Sequence, residues 1–99
     1  MTTQLKQYSD IITPIMQRYG VVKAAFFGSV VGKQFREGKS DVDILVLPPR
    51  GMSLLDFIGL KQDIEDTIHS DVDLLSYNGI SPYLKSNILS GEQVFYETK

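Results

Sequence analysis

Two stretches of the sequence decide the fold: Ala24-Ala25-Phe26-Phe27-Gly28-Ser29 and Ser40-Asp41-Val42-Asp43-Ile44-Leu45-Val46. The first predicts a short buried strand over 21–27 that stops at a turn, and the second predicts another strand over 42–47. Eleven residues separate Ser29 from Asp41. A parallel crossover needs a dozen or more residues with its helix, so we expect the two strands to pair antiparallel within a mixed sheet.

The second stretch begins with two carboxylates. Side chains alternate across a strand, so Asp41 and Asp43 project to the same side, where their like charges repel. A sequence chosen for stability alone has little reason to begin an apolar strand in this way. Mg²⁺ prefers oxygen ligands and bridges such pairs, so a metal site is the functional interpretation; exposed carboxylates at a turn are the ordinary alternative.

A second acidic pair, Asp71-Val72-Asp73, begins a third predicted strand over 71–76. Asp73 is followed at once by Leu74-Leu75 and therefore corresponds to Asp43, whereas Asp71 is expected to cap or solvate the turn. A pair of metal ions, as used in phosphoryl-type transfer, needs a carboxylate from elsewhere in the chain, and Asp73 is our candidate for it.

Helical patterns surround these strands. Apolar spacing predicts a helix over 5–19 that ends at Gly20, with a kink or two short helices meeting at Pro14. Ser53 is a predicted N-cap. The predicted buried face of that helix consists of Leu54, Phe57, Ile58, the stem of Lys61, Ile64 and Ile68.

Shorter elements complete the prediction. A brief helix or loop is expected over 30–36, and a short helix is expected from Ser81-Pro82 to Gly91. Val94-Phe95-Tyr96 is expected to add an edge strand or to pack the tail. His69 is interpreted as a helix-end cation or an exposed turn residue rather than a metal ligand, and Tyr77 as a packing residue rather than a flank of the site.

Composition limits the function classes. The 99 residues fit a single domain, 1–99, with 42% apolar and 22% charged residues. A net charge of −2 argues against direct nucleic-acid binding by a basic surface, and the absence of cysteine excludes disulfides and thiolate metal sites. No apolar stretch approaches the length of a membrane span, and no signal peptide is evident, so a cytoplasmic location is expected.

With Gly-Ser, Asp-x-Asp and a later strand Asp at these positions, the chain resembles the minimal nucleotidyltransferases of the DNA polymerase beta-like superfamily, a group that includes antitoxins. The resemblance implies an α+β fold, a small mixed sheet flanked by helices. It also implies that Gly28 and Ser29 hold the nucleotide phosphates. Asp41, Asp43 and Asp73 would bind two Mg²⁺ ions, with Asp73 also activating the nucleophile.

The activity implied by the resemblance is transfer of AMP from ATP to a hydroxyl on a partner protein. Minimal members of this kind commonly act as the antitoxin of a pair whose toxin is a helical HEPN-type ribonuclease, so such a toxin is the expected acceptor. Many members carry an Arg-Gly pair shortly after the Gly-Ser, whereas this chain has Val30-Val31-Gly32-Lys33. Lys33, Arg36 or Lys39 is left to supply positive charge.

Two other interpretations stay open at this stage. A noncatalytic binding module that neutralises its partner by contact is favoured slightly by the missing arginine and opposed by the three retained carboxylates. A plain α/β domain with solvated aspartates is the blandest interpretation.

Overall fold

The computed structural model describes residues 3–27, 42–80, 82 and 91–98. Along the chain these form α1 (Thr3–Tyr19), β1 (Lys23–Phe27), β2 (Val42–Leu47), α2 (Leu54–Ile68), β3 (Val72–Ser76), a 3₁₀ turn (Tyr77–Gly79) and β4 (Gln93–Glu97). The predictions for 30–36 and for the helix beginning at 81 fall outside the described residues. Within the described ranges, no helix combines the length and apolar character that crossing a membrane requires.

The four strands form one mixed sheet in the order β3-β2-β1-β4. β1 pairs antiparallel with β2 and with β4, whereas β2 and β3 are parallel and joined through α2. The antiparallel pairing expected from the short β1–β2 connection is confirmed. The tail strand is also confirmed, because β4 forms an edge of the sheet beside β1.

The main core lies between one face of the sheet and the two helices. Alternate residues of β2, namely Val42, Ile44 and Val46, are fully buried on this face. Phe26 of β1 stacks on Phe95 of β4, with ring centroids 4.4 Å apart. The helices contribute further buried side chains, which are Leu5, Tyr8, Ile12, Ile15, Met16, Leu60, Ile64 and Ile68. The opposite face of the sheet carries a second, smaller buried cluster, formed by Ala25, Phe27 and Leu45.

Helix α1 runs unbroken through Pro14, so the expectation of two short helices is wrong. Pro14 is exposed, and water can therefore satisfy the carbonyl that loses its partner there. Gly20 ends the helix with a φ of +73°. The N–H of Gly20 donates to Gln17 O and that of Val21 to Met16 O, which together form a Schellman motif.

Ser53 caps α2 as predicted, because its Oγ accepts a hydrogen bond from the N–H of Asp56 at 3.1 Å. The predicted buried face is partly wrong. Leu54 and Ile58 are 73% and 51% exposed, and the central buried position is Leu60. The stripe that packs on the sheet comprises Phe57, Leu60, Ile64 and Ile68.

The error has a geometric cause. At 100° per residue, Ile58 lies about 115° from the middle of the buried stripe, so it cannot share that face. Lys61 is likewise exposed. Apolar residues at the start of α2 form an exposed patch that the sequence pattern merges with the buried stripe.

Candidate active site

Three residues meet across the sheet on the face opposite the helices. In the strand register Phe27 pairs with Asp43, and Asp43 pairs with Asp73. Paired residues on neighbouring strands project to the same face. Asp43 therefore stands between an aromatic ring on β1 and a second carboxylate on β3.

The two aspartates hold equivalent positions, since each is the second residue of its strand. Parallel neighbours place their Cα atoms about 4.8 Å apart. Asp43 is half-buried and Asp73 is exposed, so the pair forms a solvent-accessible acidic site at the edge of the apolar face. The N–H of Val42 donates to the carbonyl of Asp71 at 3.0 Å, which helps to hold this register at the strand starts.

The side chain of Asp71 belongs to a different surface. It is exposed and precedes β3. It lines a shallow polar depression at the C-terminal end of α2, together with Gln62, Glu65, Asp66, His69 and Ser70. The strand pairing thus brings Asp73, rather than Asp71, beside Asp43.

His69 occupies the position predicted for it at the end of α2. It is the exposed C-cap residue, with left-handed backbone angles, and its N–H donates to Glu65 O. Glu65 also accepts a hydrogen bond from the N–H of Val72 through its carboxylate, at 2.9 Å. His69 therefore ends the helix and lines the same depression as Asp71.

The remaining predicted site residues, Gly28, Ser29 and Asp41, lie outside the described residues. The described residues that flank this segment are Phe27 and Val42, and both stand at the end of the sheet that carries the carboxylates. The chain therefore leaves β1 and enters β2 beside the candidate site.

The donor set fits a hard divalent cation. Carboxylate oxygens are the ligands that Mg²⁺ prefers, and two of them share one face on adjacent strands. Among residues 3–27, 42–80, 82 and 91–98, no three His, Cys, Asp or Glu side chains come together as a metal-binding group. A complete site would need a ligand from outside these ranges, and Asp41 is the sequence candidate.

An apolar wall lies next to the carboxylates. Ala25, Phe27 and Leu45 are buried together on this face, and Tyr77 and Ile80 pack against them. Leu45 follows Asp43 by two residues and therefore lies about 6.7 Å along the same side of β2. The chain after β3 thus folds back over the sheet and bounds the site on one side.

A polar network holds this wall. The hydroxyl of Tyr77 donates to a carboxylate oxygen of Glu92 at 2.5 Å, and Lys23 Nζ lies 3.8 Å from the other oxygen. Lys23 Nζ also lies 5.2 Å from the centre of the Tyr77 ring. Burial, followed by the hydrogen bond and charge of Glu92, raises the pKa of Tyr77 well above its usual range, so its hydroxyl remains a donor.

The sequence pattern missed Lys23 and Glu92. Nothing in local spacing relates them, because the contacts depend on the pairing of β4 with β1. The packing role predicted for Tyr77 is confirmed. The cluster on which it packs adjoins the candidate site, so the expectation that Tyr77 packs instead of flanking the site is only half right.

Comparison with known proteins agrees with this architecture. The family model described as polymerase beta nucleotidyltransferase matches residues 10–99. A protein of Methanocaldococcus jannaschii named "putative protein adenylyltransferase" is 44% identical over 79 residues, which cover 80% of this chain and 84% of the relative.

Solved structures show the same fold. One described as a "putative minimal nucleotidyltransferase" is 32% identical, covers 91% of both chains and superposes with a TM-score of 0.79. A chain from the complex of tri-AMPylated Shewanella oneidensis HEPN toxin with MNT antitoxin superposes with a TM-score of 0.72. At 20% identity, covering 94% of this chain and 72% of the other, this second likeness concerns the fold alone.

The predicted α+β fold and enzyme class are confirmed by these matches together with the mixed sheet and its flanking helices. The chain belongs to the polymerase beta nucleotidyltransferase family.

Proposed function

We propose that this chain transfers AMP from ATP to a hydroxyl group on a partner protein. The observation that carries the proposal is the register pairing of Asp43 with Asp73 on the open face of the sheet. Two like charges side by side oppose folding, and a bound cation removes that conflict. The adenylyltransferase name of the Methanocaldococcus relative supports AMP as the transferred group.

We assign the metal ligands to Asp41, Asp43 and Asp73, with two Mg²⁺ ions as the cations. Bound Mg²⁺ would neutralise phosphate charge and make the acceptor hydroxyl more acidic. Gly28 and Ser29 are assigned to the phosphates, because glycine permits a close backbone approach.

The reaction is an in-line displacement. The oxygen of the acceptor hydroxyl bonds to the α-phosphorus of ATP while its proton passes to Asp73. The bond from that phosphorus to the oxygen that bridges the α- and β-phosphates breaks, and pyrophosphate leaves. Asp73 is assigned to activate the acceptor, since it is the exposed member of the pair. Half-buried Asp43, between Phe27 and Asp73, is assigned to hold the cation that would neutralise the reacting phosphate.

Positive charge for the triphosphate has to come from outside the described strands. Among the residues of the four described strands, Lys23 alone is basic. It already pairs with Glu92 and lies over the Tyr77 ring. Lys33, Arg36 and Lys39, which stand between β1 and β2 in the sequence, are the candidates for this charge.

The proposed acceptor is a helical HEPN-type toxin, which makes this chain the antitoxin of a cytoplasmic pair. The AMPylated toxin in the Shewanella complex supports this choice for a protein of the same fold. We further propose that residues 1–99 fold as one minimal domain that does not bind nucleic acid, in keeping with the net charge of −2.

Co-expression with the product of the adjacent gene tests the proposal. The parent chain should increase the mass of that protein by whole adenylyl groups, whereas Asp43→Asn should not. Asp10→Asn, a matched change on the exposed side of α1, should behave as the parent. If Asp43→Asn released pyrophosphate from ATP at the parent rate, the assignment would fail.

A noncatalytic module that neutralises its partner by contact is the second candidate. The run Val30-Val31-Gly32-Lys33, which stands where many members carry an Arg-Gly pair, favours it. Thermal unfolding separates the two functions, because a nucleotidyltransferase should be stabilised by Mg-ATP. A melting temperature indifferent to Mg-ATP, together with tight partner binding, would favour the module.

A further inference from the structure

The Tyr77–Glu92–Lys23 network joins three separate parts of the fold. Lys23 begins β1, Tyr77 begins the 3₁₀ turn after β3, and Glu92 immediately precedes β4. The Tyr77 hydroxyl donates to Glu92, and Lys23 pairs with the same carboxylate. The carboxylate of Glu92 therefore links the turn after β3 to strand β1.

The network is shielded from water, which makes its bonds specific. The side chains of Lys23 and Glu92 are only 27% and 17% exposed. Hydrogen bonds to charged groups strengthen as water is excluded, and a half-buried carboxylate needs both of its partners. Loss of the Tyr77 hydroxyl would leave one Glu92 oxygen without its donor.

The network acts on the wall of the candidate site. Tyr77 and Ile80 pack against the buried cluster of Ala25, Phe27 and Leu45. Within that cluster, Phe27 is the strand partner of Asp43, and Leu45 follows Asp43 by two residues along β2. A shift of the turn after β3 therefore changes the packing of the cluster that adjoins Asp43. Reaction rates are sensitive to such shifts, since a misplacement of about 1 Å can cost about 100-fold.

We propose that Tyr77 is a positioning residue for the nucleotide site, acting through its hydrogen bond to Glu92. The bond fixes the Tyr77–Ile80 turn as the apolar wall against which a nucleotide held at Asp43 and Asp73 packs. The inference rests on the proposed function for the identity of the ligand. It adds a residue that does not touch the phosphates but sets the shape of their surroundings.

The chain contains a matched control on the other side of the sheet. Tyr19 donates a hydrogen bond to Asp63 at 2.5 Å, and Arg18 lies 3.6 Å from the same carboxylate oxygen. This group joins α1 to α2 and is also a tyrosine, a carboxylate and a cation, although its ion pair is more exposed than that of the Tyr77 network. Tyr19→Phe and Tyr77→Phe thus remove the same hydroxyl from the same kind of bond.

The experiment compares the parent with these two variants by two measurements. The first is the dissociation constant of Mg-AMP-PNP, obtained by calorimetry. The second is hydrogen exchange of the backbone amides of Asp43, Ile44 and Leu45. A third variant, Glu92→Gln, keeps an acceptor for Tyr77 and loses the ion pair with Lys23.

We expect Tyr77→Phe to weaken Mg-AMP-PNP binding about tenfold, equivalent to about 1.4 kcal/mol, and to speed exchange at Asp43–Leu45. Tyr19→Phe should leave both values within about twofold of the parent, and Glu92→Gln should fall between the two. Equal effects of Tyr77→Phe and Tyr19→Phe on both measurements would overturn the inference.

A parent chain that fails to bind Mg-AMP-PNP would refute the proposed nucleotide function by itself. The exchange data would then decide the positioning role. Faster exchange at Asp43–Leu45 in Tyr77→Phe alone would support it, and unchanged exchange would refute it.

Discussion

Replacing Asp73 by Asn should stabilise the protein when no divalent cation is present. Asp73 faces Asp43 across a parallel strand pair, at about 4.8 Å between Cα atoms. Two unit charges about 5 Å apart repel by about 0.8 kcal/mol in water and by about 3 kcal/mol at an effective dielectric constant of 20. Exposure of Asp73 places the value near the lower limit, so we expect a gain of about 0.5–1 kcal/mol.

Urea denaturation followed by far-ultraviolet circular dichroism measures this difference. In EDTA, Asp73→Asn should unfold at a higher urea concentration than the parent. With Mg-ATP added the order should reverse, because ligand that binds only the folded state raises the free energy of unfolding of the parent. The variant, which lacks a metal ligand, should gain much less.

Asp10→Asn is the control for this experiment. Asp10 is exposed on α1, so its replacement should change the free energy of unfolding by less than about 0.5 kcal/mol. It should also leave the response to Mg-ATP intact. The reasoning would be refuted if Asp73→Asn destabilised the protein in EDTA, or if Mg-ATP stabilised that variant as much as the parent.

Three further predictions concern the framework of the fold. Burial and Glu92 raise the pKa of Tyr77 above the value of about 10 that holds in the unfolded chain. The contribution of its hydroxyl to stability is therefore complete below about pH 10 and is lost as the pH rises above that value. The urea midpoint of Tyr77→Phe should lie below that of the parent at about pH 9, and the difference between the two midpoints should shrink at about pH 11. Gly20→Ala should lower the free energy of unfolding by about 1–2 kcal/mol. The cause is the φ of +73° and not a clash, because Pro49 leaves ordinary space for a Cβ. Gly79→Ala is the control in the same urea assay, since Gly79 has open space around it and no positive φ. Ser53→Ala should lower the free energy of unfolding by about 1 kcal/mol, because α2 loses its N-cap hydrogen bond. Ser53→Asp should keep most of the stability of the parent, because aspartate is also a good N-cap, and urea titration measures both differences.

The sheet and its carboxylates were accessible from the sequence because their determinants are local. Short apolar runs predicted β2 and β3, and the length of the β1–β2 connection predicted that β1 and β2 pair antiparallel. Asp43 and Asp73 sit at the same offset from the starts of their strands. A parallel pairing in register then brings them together without any further information.

The face of α2 was less accessible because two apolar stripes overlap at its N-terminal half. Leu54 and Ile58 lie near the helical spacing of Ile64 and Ile68, but they are exposed. The stripe that packs on the sheet includes Leu60 instead. Of the two alternatives expected at Pro14, a kink or two short helices, the second is wrong because α1 continues through this residue. Tertiary packing of α1 on the sheet outweighs one missing backbone hydrogen bond at an exposed position.

The network around Glu92 was inaccessible from sequence. Tyr77 and Glu92 are separated by 15 residues, and Lys23 lies in a different strand altogether. Their contact depends on where β4 joins the sheet and on how the chain after β3 turns back. Such contacts follow from topology rather than from any local pattern.

Label transfer from ATP tests directly whether this chain moves AMP from ATP to a partner protein. The chain would be incubated with Mg²⁺, the co-expressed product of the adjacent gene, and ATP labelled at either the α- or the γ-phosphate. We expect the α-label to enter the acceptor protein, the γ-label to leave as pyrophosphate, and Asp43→Asn to abolish both. Entry of the γ-label into the acceptor, or α-label transfer at the parent rate by Asp43→Asn, would contradict it.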